Sequence, residues 1–334
     1  MTASATVGYK GERFSVAAGE TVLDVLLRNG VEVAHACRSG VCRSCMMGAS
    51  PGTVPEAAQA GLREVEQRQG MFLACLCRPH GELHVRDLDD QAAVSAELVE
   101  VTHLSDSVVR LRLQPHDTFD YEAGQYVALR RPDGLTRSYS LASLPSEPWL
   151  ELHLRRVPDG RMSSWAYDDA RPGMTVSLRG PYGTCCHVDD SPEVPILMVG
   201  VGTGLAPLWG VLRQALASGH TGPITLIQAS AEPRGLYMRD ELRGLVDAHP
   251  QLRIRPCVLR GGGGEIEERG ADALAVEQLR ESGNAAAHLA YVCGDSAIVQ
   301  RVRRGLFMAG MSARRIFVDA FVTAPAGTPS AASV

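Results

Sequence analysis

Hydrophobic and polar positions change rhythm three times along the chain. Residues 6–10 and 12–16 alternate as two short strands about a Lys10-Gly11 turn. Thr21 predicts a helix N-cap, with Asp24 as its capping-box partner. Val22, Val25 and Leu26 share one face of that helix, and Asn29-Gly30 stops it. Residues 36–48, rich in Cys and Gly, fit neither period and predict a loop. A helix is expected over 56–68, a strand over 71–75 and a polar, acidic linker over 84–96. Short strands then follow at 98–102, 108–113, 126–129, 150–155 and 175–178, spaced as in an antiparallel barrel or sandwich. One helix there starts at Ser163 and stops before Pro172-Gly173. Pro192 opens a third regime: an apolar run over 194–199, a glycine-rich turn and a helix over about 206–218. Strands at 224–228, 252–258 and 288–293 alternate with helical stretches, the pattern of a parallel α/β sheet. The glycines at 261–264 predict a flexible loop, and the Ala-, Pro-, Gly- and Ser-rich tail at 323–334 predicts disorder.

Three domains are therefore expected over 1–90, 95–190 and 192–322. The balance of 45% hydrophobic and 21% charged residues is that of a globular protein. A net charge of −5 without a Lys/Arg block argues against direct nucleic-acid binding. No apolar run is long enough for a membrane span, and the N-terminus lacks the basic and apolar regions of a signal peptide. A cytoplasmic monomer is expected. Nine cysteines, an odd number without a secretion signal, shift weight from disulfides to metal or redox chemistry.

Cys37-x4-Cys42-x2-Cys45 followed by a distant cysteine is the plant-type [2Fe–2S] spacing, and it is poor zinc-finger spacing. Cys75 and Cys77 compete for the fourth place. Cys185 and Cys186 have no evident partners and read as packing residues. Gly200-Val201-Gly202-Thr203-Gly204-Leu205-Ala206-Pro207 follows a buried strand and opens a helix, so its backbone can approach a pyrophosphate. Leu205 occupies the last glycine position of the usual dinucleotide fingerprint, which is therefore incomplete.

Three further motifs carry a resemblance: Arg137-Ser138-Tyr139-Ser140, Gly160-Arg161-Met162-Ser163 and Gly180-Pro181-Tyr182-Gly183. With the glycine-rich turn and Cys293-Gly294-Asp295, they resemble the ferredoxin–NADP reductase superfamily. Residues 6–86 resemble a plant-type ferredoxin domain. Over nearly its whole length the chain is similar to the ferredoxin-first, three-domain reductase components of bacterial aromatic-ring oxygenases, of the naphthalene dioxygenase and toluene monooxygenase types. The resemblance implies a β-grasp ferredoxin domain, an antiparallel β-barrel FAD domain and a parallel α/β nucleotide-binding domain. It also selects Cys75, through Phe72-Leu73-Ala74-Cys75-Leu76-Cys77, to join Cys37, Cys42 and Cys45 as the cluster ligands.

For FAD the resemblance implies that Arg137 pairs with the pyrophosphate, Tyr139 packs along the isoalloxazine and Ser140 reaches flavin N5. Gly160, Met162 and Ser163 would let helix N-terminal N–H groups meet phosphate oxygens. For the nucleotide it implies Gly200, Gly202, Thr203 and Gly204, with Cys293 and Gly294 beside the nicotinamide and Phe321 completing the set. Cys293 and Ser140 form the expected catalytic pair. Two stretches depart from the family pattern: Asp295-Ser296-Ala297-Ile298 where x-Pro-x-Met is usual, and Ala229-Ser230-Ala231 where Gly-x-Arg is usual. Glu232 beside Ala231 predicts NADH over NADPH, with Arg234 as the opposing cation. The implied function is electron transfer from NADH through FAD and the cluster to an oxygenase component or a Rieske-type ferredoxin in aromatic-compound degradation. The same departures leave a second reading, a flavin/iron–sulfur redox sensor that reports to a transcription regulator.

Overall fold

The computed structural model describes residues 5–33, 35, 38–40, 45–88, 93–188 and 190–321. The chain divides into two compact units, one up to residue 92 and one from residue 93 onward. The tail at 323–334 lies outside the described residues.

The first unit contains β1 (Thr6–Tyr9), β2 (Glu12–Ser15), α1 (Val22–Arg28), β3 (Met46–Ala49), α2 (Glu64–Arg68), β4 (Met71–Leu73) and β5 (Glu82–Arg86). Its sheet runs β2-β1-β5-β3-β4, with β1 and β5 parallel and the other pairs antiparallel. The capping box forms as expected: Asp24 N donates to Thr21 Oγ1, and Thr21 N donates to Asp24 Oδ2. Val22, Leu23, Val25 and Leu26 of α1 bury in one core with Phe72 and Leu83. This is the β-grasp arrangement, one helix gripped by a mixed sheet.

Three local expectations for this unit need correction. The single helix over 56–68 is a 3-10 turn, Glu56–Gln59, and the separate α2. Gly61 between them sits at φ +77°, a left-handed conformation that a continuous right-handed helix excludes. The linker over 84–96 begins inside β5 and ends inside β6, because Leu83 and Val85 alternate inward beneath polar neighbours. The loop over 36–48 ends in β3, whose Met47 is buried.

The second unit begins with β6 (Val94–His103), β7 (Val108–Pro115), β8 (Tyr126–Arg130), β9 (Thr136–Ser140), β10 (Leu150–Arg155), α3 (Arg161–Ser164) and β11 (Thr175–Tyr182). The strands form one antiparallel sheet in the order β10-β7-β6-β11-β8-β9. A bridge between Leu141 and Leu152 brings the end of β9 back to β10 and closes the barrel. Leu98, Leu111, Leu129 and Leu152 fill its interior.

A parallel sheet follows, built from β12 (Ile196–Val201), β13 (Ile224–Ser230), β14 (Leu252–Val258), β15 (Glu267–Glu268), β16 (Leu289–Asp295) and β17 (Ile316–Phe321). Its order is β15-β14-β13-β12-β16-β17. The helices between them are α4 (Leu205–Ala217), α5 (Arg239–Ala248), α6 (Ala271–Glu281) and α7 (Ser296–Met308). The 261–264 run leads into the edge strand β15 through a bridge between Gly263 and Ile266. Barrel and α/β lobe pack as one unit: Arg213 of α4 donates to Glu147 at 2.7 Å and to the Ala142 carbonyl at 2.7 Å. Among the described residues no helix is long and apolar enough to cross a membrane.

Candidate active site

Of the four expected cluster ligands, Cys37 and Cys42 lie outside the described residues. Cys45 and Cys75 are both buried and close in the fold, because Ala74 N donates to the Cys45 carbonyl at 3.0 Å. The turn carrying Cys75 is tight, with the amides of Leu76 and Cys77 both bonded to the Leu73 carbonyl. Gly40 of the cysteine-rich loop lies against the Leu76 side chain. Cys77 is fully enclosed, and its carbonyl accepts from Val22 N at 2.8 Å, one of the amides that the first turn of α1 leaves open. The described donors suit an iron–sulfur cluster: the buried Cys45 and Cys75 are close in the fold, Cys75 on a tight turn.

The flavin motif occupies β9, at the edge of the barrel sheet. Arg137 is exposed, and among the described residues its guanidinium bonds only to the neighbouring Thr136 carbonyl, which leaves its fork open to an anion. Tyr139 packs against the barrel core, where burial pushes its phenol up. The Met162 and Ser163 side chains are engaged within the protein. Met162 is buried in the barrel core, and the Ser163 hydroxyl donates to Gly160 O and accepts from Val157 N. Their side chains hold the loop, so backbone groups are what this short turn offers a phosphate.

The nucleotide motif joins β12 to α4 through a one-turn 3-10 segment, Gly202–Gly204. Its glycines are required by close approach. A Cβ at Gly204 would stand 2.1 Å from the Cys293 carbonyl oxygen, and one at Gly294 would stand 2.4 Å from the Val201 carbonyl oxygen. The two glycine segments therefore lie backbone against backbone. Beside them opens a cavity of about 290 Å³, lined by Thr203, Ala229, Ser230, Ala231, Asp295 and Phe321 among others. Three arginines also line it: Arg269 pairs with Glu277 and Arg301 with Asp272, whereas Arg155 of β10 has no ion pair among the described residues. Asp295, one of the departures from the family pattern, accepts from the amides of Ala297 and Ile298 and so caps α7. The start of α7 is thus already satisfied by an anion. The start of α4 has no side-chain cap.

Glu232 stands outside the cavity lining. Arg260 donates to its carboxylate at 2.8 Å and Arg234 pairs with it at 2.9 Å. Together these cations hold the carboxyl below its usual range. Arg234 is thereby engaged by the very residue it was expected to oppose.

Three groups meet where the flavin strand faces the nucleotide lobe. Ser140 Oγ donates to Asp319 Oδ2 at 2.6 Å, and Asp319 stands opposite Cys293 in the β16–β17 register. Cys293 Sγ lies 3.4 Å from Cys185 Sγ, so Cys185 is no mere packing residue: it has a partner. Burial, together with the neighbouring Cys185 thiol, pushes Cys293 up. Asp319 escaped the sequence reading, although it is the only acid in the Ile316–Phe321 run, a signal that was there to be used. Cys185 carried no local signal, since its partner is 108 positions away.

An open guanidinium on a flavin-type strand, an interlocked glycine turn over a cavity and the neighbouring Cys45 and Cys75 fit an oxidoreductase that joins pyridine nucleotide, flavin and iron–sulfur chemistry. Family models agree: a 2Fe-2S iron-sulfur cluster binding domain matches residues 5–80, an oxidoreductase FAD-binding domain 95–187 and an oxidoreductase NAD-binding domain 198–304. The chain belongs to the family of three-domain reductase components of oxygenase systems. It is 31% identical to the ferredoxin–NAD(P)(+) reductase component of the naphthalene 1,2-dioxygenase system of Pseudomonas putida, over 91% of this chain and 94% of that protein. It is 32% identical to the reductase subunit of an aromatic O-demethylase of Amycolatopsis sp., over 97% of this chain and 100% of that one. Among solved structures, an Amycolatopsis cytochrome P450 reductase superposes with a TM-score of 0.65 at 28% identity, covering 95% of this chain and 99% of that one.

Proposed function

We propose that the chain is an NADH-dependent reductase that delivers electrons to an oxygenase component or a Rieske-type ferredoxin in aromatic-compound breakdown. The observation that carries this reading is the junction of Ser140, Asp319, Cys293 and Gly204, which unites the flavin strand with the nucleotide turn. The kinship with reductase components of naphthalene and aromatic O-demethylase systems supports the acceptor class.

Arg137 would hold the pyrophosphate of FAD, Tyr139 would lie along its ring system, and the Gly160–Ser163 backbone would border its phosphates. Gly200, Gly202, Thr203 and Gly204 would take the pyrophosphate of NADH, with Cys293 and Gly294 at its nicotinamide end and Phe321 on the cavity wall. Cys37, Cys42, Cys45 and Cys75 would hold the cluster. Bound, FAD supplies the exchange between a two-electron hydride donor and a one-electron cluster. The protein's own part is placement and exclusion of water. The Asp319 carboxylate fixes the Ser140 hydroxyl, and the buried Cys293 and Cys185 thiols lie against each other beside it. Glu232 would favour NADH by holding Arg260 and Arg234. The chain would act as a monomer, with functional domains over 1–90, 95–190 and 192–322.

Purified protein mixed with NADH and cytochrome c tests the reading. Bleaching of flavin and cluster with turnover of cytochrome c is expected. Bound cofactors that NADH leaves oxidised would overturn the reductase and favour the sensor.

A further inference from the structure

Strand β10 carries a buried polar chain that ties the barrel to the nucleotide lobe. The His153 ring is enclosed, with Nε2 3.0 Å from Glu151 Oε1 and Nδ1 3.1 Å from the Tyr237 hydroxyl. Arg112 Nε donates to the other Glu151 oxygen at 2.9 Å, and Arg110 flanks the same oxygen at 3.9 Å. Burial pushes Glu151 up, but the bonds from His153 and Arg112 outweigh it and hold this carboxyl down to about 2. An ionised carboxylate only accepts, so His153 Nε2 carries the proton that faces it. Burial favours the neutral imidazole, which leaves Nδ1 as an acceptor and makes Tyr237 the donor. Both ring nitrogens of His153 then have partners without any net positive charge on the ring.

Both ends of this chain lead to the reacting groups. Tyr237 belongs to the nucleotide lobe, and its carbonyl accepts from Gln228 Nε2 at 2.7 Å. Gln228 directly precedes Ala229, Ser230 and Ala231, which line the nucleotide cavity. On the barrel side, Leu152 beside His153 bridges Leu141, the residue after Ser140. Two positions beyond His153, Arg155 lines the same cavity, and β10 lies against the Gly202–Gly204 turn. Neither His153 nor Tyr237 lines that cavity, so any effect they have on the reaction passes through these neighbours.

We infer that the His153–Tyr237 hydrogen bond is a positioning contact that sets the end of β13, and with it the bound nucleotide, against the flavin strand for hydride transfer. The inference rests on the second unit being an NADH–flavin reductase. A bond of this kind acts on the alignment of reactants, and a small misplacement at that stage slows the chemical step more than it weakens binding. Tyr237→Phe removes one oxygen from a packed ring and leaves the fold's apolar contacts in place, whereas His153→Asn tests the other partner.

The experiment uses the full FAD-loaded chain. Stopped-flow flavin reduction separates the limiting rate at saturating NADH from the apparent Kd, and amide hydrogen exchange without NADH follows segments 146–156 and 224–240. Tyr237→Phe should lower the limiting rate on the order of tenfold while the Kd stays within about twofold. Exchange should rise in both segments, and the double variant should be no slower than the slower single one. A wild-type limiting rate in Tyr237→Phe, a loss confined to Kd, or losses that multiply in the double variant would each overturn the positioning role. A wild-type chain that NADH does not reduce would instead overturn the functional reading, and failure of His153→Asn to fold leaves Tyr237→Phe to decide.

Discussion

The Ser140 hydroxyl donates to the Asp319 carboxylate at 2.6 Å across 179 positions of sequence. The bond links the flavin strand β9 to the last strand of the α/β sheet. Asp319 is buried there, and an ionised carboxylate out of water is disfavoured unless well partnered. One hydroxyl is modest compensation.

That imbalance has a pH signature. Burial raises Asp319 above its ordinary value, and the bond from Ser140 offsets only part of the rise. A carboxyl raised on folding stabilises fully below its unfolded value, and the contribution is lost as pH rises through the folded value. The second unit should therefore lose stability as pH climbs from about 4. Asp319→Asn keeps an acceptor for Ser140 and cannot ionise, so its Tm should gain on the wild type as pH increases. Tm curves that stay parallel at every pH from about 4 upward would contradict this.

Cys75→Ser should abolish the visible cluster absorption and the reduced-state EPR signal. Cys77→Ser should keep both, because Cys77 is enclosed in the core beneath α1, though it should lower Tm by placing a hydroxyl among apolar groups. Reversed outcomes would move the fourth ligand to Cys77.

Arg137→Ala should weaken FAD retention. Losing a charge-assisted bidentate contact costs about 2–3 kcal/mol, on the order of a 30–150-fold lower affinity. The guanidinium has no ion pair among the described residues, so its removal leaves no orphaned charge to confuse the result. Fluorescence titration of the apoprotein with FAD measures it, and wild-type affinity would remove Arg137 from the site.

Wild type should show a higher kcat/KM with NADH than with NADPH. Glu232→Ala releases Arg260 and Arg234, two cations just beyond the cavity residues Ala231 and Leu259. The variant should gain on the order of tenfold in kcat/KM for NADPH, the scale of roughly 1.4 kcal/mol of new charge pairing. NADH should change far less. Unchanged discrimination would show that Glu232 does not guard the ribose.

Several features were legible because their physics is local. A capping box needs two residues three apart, and Thr21 and Asp24 form it where expected. The strand–turn–helix from Ile196 to Ala217 was visible in an apolar run, a glycine cluster and a helical period. By contrast, β9 shows two adjacent exposed residues, Arg137 and Ser138, and alternates too weakly to announce a strand, although it carries the flavin motif. The expected helix over 56–68 is broken at Gly61, where the backbone turns left-handed.

By itself the sequence determined the cluster spacing, the glycine-rich turn and the three regimes of strand and helix. Each depends on residue type at short, set intervals, where the covalent chain supplies the proximity. Tertiary structure alone decided that Asp319 would hold Ser140, that Cys185 would reach Cys293 and that His153 would meet Tyr237. Those partners lie 84 to 179 positions apart, and nothing within one segment specifies the other. Their meeting follows from closing the barrel and stacking the parallel sheet against it, which buries polar groups together and leaves them only each other as hydrogen-bond partners.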